Sequence, residues 1–158
     1  MTEPNGDQIN EEEVEQPDAV DATARYRLRS DEELAEITDR FTWPDEELPE
    51  AKRPWFDVRP ATRARFLTAK GIAGKRAKRS AAQDKQAAAE TFFVGEYLYQ
   101  LISDWGNVPD TDGGEADFTK SNVGRLANQF PTIGNAIVEF ADELLIRQGR
   151  ASEGNSAR

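Results

Sequence analysis

The sequence predicts a mainly α protein: a small helical bundle of about four to five helices, with a disordered acidic N-terminal arm and one short extended segment near 54–59. Three observations predict it. Phe93, Tyr97, Leu101 and Trp105 recur at helical spacing, with Val94, Leu98 and Ile102 beside them, which makes a broad apolar stripe. The alanine-rich stretch before that stripe has high helix propensity. Finally, only 37% of the 158 residues are hydrophobic and 32% are charged, against roughly 45–50% and about 25% in an average globular domain. The deficit lies at the start of the chain. The organisation expected is therefore an arm over 1–24, one helical domain over 25–149 and a loose tail over 150–158.

Taken in order, Met1 to Thr23 sets Glu11, Glu12, Glu13 and Glu15 among Asn, Gln, Pro and Asp, too polar to offset its ordering entropy by burial. Ser30-Asp31-Glu32-Glu33 reads as a capping box. Leu34, Ile37 and Phe41 then predict a helix over about 31–41. Pro44, Pro49 and Pro54 mark an irregular stretch. Trp55-Phe56-Asp57-Val58-Arg59 alternates and is rich in strand formers. Pro60 suits the first turn of a helix running to about Lys70, where Gly71 and Gly74 interrupt it. The long apolar stripe predicts a helix over about 81–105, ended by Gly106 and Pro109. Asp110 to Gly114 is a turn cluster. Val123, Leu126, Ala127 and Phe130 suggest a short helix capped near Thr119 or Ser121. Pro131 opens another, with Ile133, Ile137, Phe140, Leu144 and Leu145 as its buried row and Gly149 as its stop.

Charge divides the chain into blocks. Residues 1–50 carry 17 acids against 4 bases, residues 51–85 carry 2 against 11, and residues 86–158 carry 11 against 5. Histidine and cysteine are both absent, which removes disulfides, thiolate nucleophiles, imidazole bases and Cys/His metal sites. No segment has the roughly 20 consecutive apolar residues of a membrane helix, and the N-terminus lacks the pattern of a signal peptide. No enzyme activity, cofactor, metal or membrane association is expected.

Several motifs invite chemistry. The Asp110–Asp117 loop is rich in oxygen ligands, but an EF-hand counted from Asp110 would need Gly and Glu where Glu115 and Ser121 stand. Gly71-Ile72-Ala73-Gly74-Lys75 is a fragment of a phosphate loop without the full spacing or the following Ser/Thr. Lys75, Arg76, Lys78 and Arg79 form the alternative, phosphate-binding candidate. They lack interleaved aromatics for stacking on single strands, and the 131–147 helix carries Glu139, Asp142 and Glu143 where a DNA reader needs cations or amides. Nucleic acid is thus the less favoured partner, and attraction of the acidic arm to this basic run is the simpler reading. The aromatic stripe carries the larger stakes: three short helices need not cover all of it, and an uncovered apolar row fits another helix.

Three further features recur in order. The extended segment Pro54-Trp55-Phe56-Asp57-Val58-Arg59-Pro60 leads into Ala61 to Phe66. Leu101 to Val108 carries a Trp-Gly turn at Trp105-Gly106. Asp112-Gly113 precedes two short helices reaching Leu145. This layout, over about residues 50–147, resembles the tail assembly chaperones of long-tailed bacteriophages. The resemblance implies a protein that coats the tape measure protein, a very long aggregation-prone helical chain, in the host cell cytoplasm and is absent from the mature virion. A longer frameshifted form is common in that family. With it, Phe93, Tyr97, Leu101, Trp105, Phe130 and Phe140 become the candidate partner-binding residues, and self-association is a further expected contact. The alternatives are a phage nucleic-acid-binding or packaging protein using the basic 70–85 segment, and a structural virion or scaffold protein.

Overall fold

The computed structural model describes residues 28–156, with side chains placed for 28–147 apart from Asp31. The acidic arm read over 1–24 lies outside the described residues.

Ser30 opens α1 (Asp31–Ala35) with the expected capping box: its hydroxyl accepts from the Glu33 N–H at 3.1 Å, and the Glu33 carboxylate accepts from the Ser30 N–H at 2.8 Å. The helix lasts five residues, not eleven. Asp39–Thr42 becomes strand β1 instead, pairing antiparallel with β2 (Trp55–Val58). Thr and Phe favour a pleated surface, and Phe41 in β1 packs on Phe56 and on Phe140. The single extended segment expected near 54–59 is the middle strand of three.

In β2, Phe56 and Val58 are fully buried on one face, while Trp55 and Asp57 occupy the other. Arg40 of β1 bonds Asp57 at 2.9 Å and lays its guanidinium 3.6 Å from the Trp55 ring centre. The third strand, β3 (Ile102–Gly106), also pairs antiparallel with β2 and comes from what reads as the end of the long helix. That helix, α3, covers Lys85–Leu101 rather than 81–105. Ile102 and Trp105 are strand formers that bury their side chains by pairing with Val58 and Phe56. Ladder bonds to β2 then replace a last helical turn. A Cβ on Gly106 would collide with the Trp55 indole, so the strand ends where only glycine fits. Asn107 follows at φ +59°, and its side-chain amide donates to the carbonyls of Ala51 and Arg53.

Between β2 and α3 stands α2 (Arg63–Arg79), capped by Thr62. Gly71 and Gly74 do not interrupt it. A glycine costs a helix only about 1 kcal/mol, and Ala69, Ala73 and Ala77 are buried at four-residue spacing in a helix whose main packing partner is α3. The basic run is therefore the last part of one continuous helix. At the far end, α4 (Lys120–Gln129) is capped by Thr119, and Pro131 opens α5 (Pro131–Ser156), which runs through Gly149 rather than stopping there. Among the described residues the architecture is five α-helices and a small antiparallel sheet of order β1-β2-β3. α3 is central: it contacts α2, α4 and α5, and α5 also backs β1 and β2. Phe56, Leu98, Leu101, Ile102, Trp105, Val123 and Ile137 lie in the core. No helix among the described residues is long and apolar enough to cross a membrane.

Among the described residues one charged group is buried beside them. Glu96 of α3 is 2% exposed, with Lys120 of α4 2.9 Å from one carboxylate oxygen and Arg76 of α2 3.8 Å from the other. Lys120 meets its oxygen, Oε2, without hydrogen-bond alignment, so that contact is an ion pair alone. Lys120→Met should lower unfolding free energy by about 1–3 kcal/mol, because it strands a buried carboxylate. Adding Glu96→Gln should restore part of the loss. Urea unfolding at unchanged slope checks both; a Lys120→Met protein as stable as the parent would show that the pair contributes nothing. Gly106→Ala should cost about 1–3 kcal/mol through displacement of Trp55, visible as a lower midpoint and altered indole fluorescence.

Candidate binding surface

The six residues of the aromatic stripe and its neighbours separate into three environments. Leu101 is fully buried where α3 ends. Trp105 lies in β3, not on the helix; it is 5% exposed, packs on Phe56 and Phe118, and donates its indole N–H to the Ala116 carbonyl at 2.9 Å. The strand turns it inward, so neither residue faces a partner. Phe140 is half-buried on α5 against Phe41, with the Arg147 guanidinium 5.0 Å from its ring. Phe93, Tyr97 and Phe130 keep exposed surface.

Phe93 and Tyr97 lie one turn apart on α3 and stack at 5.4 Å. Phe66 of α2 meets both edge-on, at 5.0 and 5.6 Å, geometry that aromatic quadrupoles favour. Phe66 itself is 38% exposed, and Leu67 and Val94 nearby in sequence are exposed too. Phe66, Ala73, Ala89 and Phe93 line an open groove of about 340 Å³ between α2 and α3, together with Lys70, Gln86 and Glu90. Phe66 and Leu67 were not among the sequence candidates, because a break at Gly71 left them on a minor helix. An apolar pair within an otherwise cationic helix was the available signal.

Phe130, at 54% exposure, sits at the end of α4. It borders a second apolar groove of about 460 Å³ with Trp43, Leu48, Pro54, Pro131 and Ile133, over the buried Phe56, Val108 and Leu126. The irregular proline-rich stretch thus forms one wall of this groove. A third cleft, of about 240 Å³, is polar and cationic. Arg76, Lys120 and Arg125 line it beside Ser121 and Asn128, and Arg76 lies 4.2 Å over the Phe92 ring.

Lys75, Lys78 and Arg79 are exposed on the last turns of α2, while Arg76 is tied to Glu96. The Asp110–Asp117 loop folds as a tight turn: Gly113 takes φ +83°, and the Asp110 N–H donates to the Gly114 carbonyl at 2.6 Å. Asp112 serves that turn by accepting from the Gly114 N–H, and Asp110 pairs with Arg125 of α4 at 3.6 Å. Among the described residues no group of three or more acids is placed to hold a metal ion.

No protein-family model, curated protein or solved structure matches the chain.

Burial raises the Tyr97 phenol above its ordinary value of 10.0, and Asp142 adds to the rise while Arg65 opposes it. Burial likewise lowers Arg65, with Arg59 repelling it further. The folded protein thus holds the Tyr97 proton longer than the unfolded chain does. Stability from this site is complete below about pH 10 and is lost as pH rises through the raised folded value. Difference absorption of Tyr97→Phe against the parent should show a tyrosinate transition above pH 10; a midpoint at or below 10 would contradict the burial.

Proposed function

We propose that the protein is a holding chaperone without catalytic activity, and that its client is the tape measure protein of a long-tailed phage, kept in solution in the host cytoplasm until the tail tube grows around it. The single observation that carries the holding role is the partly exposed aromatic cluster Phe66–Phe93–Tyr97 beside its open groove. An apolar row between two helices offers a seat for a third, the way amphipathic helices dock into grooves. The identity of the client rests on the resemblance in sequence layout. The Phe130 groove is a second seat on the same reading.

A second reading has one observation in its favour. With α2 uninterrupted, Lys75, Arg76, Lys78 and Arg79 continue a helix of seven cations and no acids, which fits a phosphate backbone.

Co-expression separates the two. The tape measure protein should become soluble and co-purify with the chain, and Phe66→Ser should reduce the recovered complex by roughly tenfold or more, the loss typical of an interface anchor. A circular dichroism spectrum like the parent's would show that the variant folds. Unchanged client aggregation would count against the holding role. Duplex DNA binding that falls steeply with salt, and is lost on neutralising the four cations, would favour the second reading.

A further inference from the structure

Helix α2 holds seven cations, Arg63, Arg65, Lys70, Lys75, Arg76, Lys78 and Arg79, and no acidic residue. Two of them have partners: Arg65 donates to the Pro60 carbonyl at 2.7 Å, and Arg76 pairs with Glu96. Arg63, Lys70, Lys75, Lys78 and Arg79 are exposed, and no hydrogen bond or ion pair reaches their side chains from the described residues. Cations in the last turn are favoured by the helix dipole, which accounts for Lys78 and Arg79. It does not account for Lys70 or Lys75, and like charges three and four residues apart repel. A face so built is stabilised by an anionic cover.

The same chain holds the matching charge. Residues 1–24 contain eight acids, Glu3, Asp7, Glu11, Glu12, Glu13, Glu15, Asp18 and Asp21, and no Lys or Arg. Glu11 to Glu15 precede Leu28 by 13–17 residues, a link that spans up to about 43–61 Å. A domain of this size has a radius of gyration of about 14 Å, so every face lies within reach. A tethered ligand of this kind acts at an effective concentration on the order of millimolar.

We propose that the acidic segment 1–24 docks in cis on the cationic face of α2. It shields that helix from polyanions along Lys75, Lys78 and Arg79 and meets the apolar groove only at its Lys70 rim. The inference is independent of which client the groove holds.

The full chain carries six lysines, Lys52, Lys70, Lys75, Lys78, Lys85 and Lys120. A zero-length carbodiimide cross-linker joins a carboxylate only to an amine it already touches, so peptide mapping reads the docking site directly. Links from Glu11, Glu12, Glu13 or Glu15 to Lys70, Lys75 or Lys78 within monomer are expected. They should fall several-fold in about 0.5 M salt, where screening shortens to a few ångströms. Links to Lys52 or Lys120 alone, or none, would overturn the proposal. Links found only in covalent dimer would also overturn it, in favour of a second copy as the occupant. Deleting residues 2–24 removes none of the described fold. It should raise affinity for a short duplex DNA by about tenfold or more at low salt. That gain should vanish when Lys70, Lys75 and Lys78 are changed to Gln; unchanged DNA affinity after the deletion would refute the cover.

Discussion

Glu96 occupies a place on α3 that the apolar neighbours Phe92, Phe93 and Leu98 would suit to a hydrophobic residue. Burying a carboxylate costs several kcal/mol even after relaxation. The two cations that offset the cost come from different helices, Arg76 from α2 and Lys120 from the first turn of α4. The charge is balanced from both sides only when α2, α3 and α4 are all in place, so one side chain ties three helices together. This matters most for α2. Its buried contacts are the three alanines Ala69, Ala73 and Ala77, which allow close approach but bury little area and set register weakly. The Arg76 pair and the Phe66 ring contacts pin one end and the other of that smooth seam.

A helix held in this way leaves surface uncovered as a matter of geometry. α3 is apolar around more than one face, and α4 and α5 take the side that carries Leu98 and Leu101. α2 is narrow at its alanine seam and covers only part of Phe93 and Tyr97. Filling the remaining groove would need large residues at Ala73 or Ala89, and these would push α2 away from Arg76's contact with Glu96. The ion tie and the open aromatic groove are therefore consequences of one packing choice.

Much of the helical content could be read from the sequence, because α3, α4 and α5 carry long apolar rows, with a cap at Thr119 and a proline at the start of α5. The strands β1 and β3 could not. Phe41 and Trp105 fit the helical period of the residues before them. What turned both into strand was pairing with Trp55–Val58, which lies 13 or more residues distant in the chain. A local pattern holds no record of such a partner. The same limit divided the candidate site: Phe93 and Tyr97 face the α2 side of the helix, Leu101 is buried at the helix end, and Trp105 passes into the core as the chain changes period from 3.6 to 2. The place of Phe66 beside Phe93 is illegible in the sequence for the opposite reason. Gly71 and Gly74 suggested a break, but the α3 contact outweighs their propensity cost.

The sizes of the grooves bear on how a holder of this kind would work. Seats of about 340 and 460 Å³ each admit one or two side chains rather than a whole client surface. At about 25 cal/mol per Å² of apolar area removed from water, an anchor the size of Leu or Phe contributes roughly 1.5–3 kcal/mol before the entropy of association is subtracted. Single contacts of that strength release quickly. A long helical client offers many equivalent turns, and occupancy along it then depends on the number of copies bound rather than on any one tight complex. On the proposed reading, such binding would keep an apolar client in solution and still let it go. A deep, fully enclosed pocket would hold the client too well.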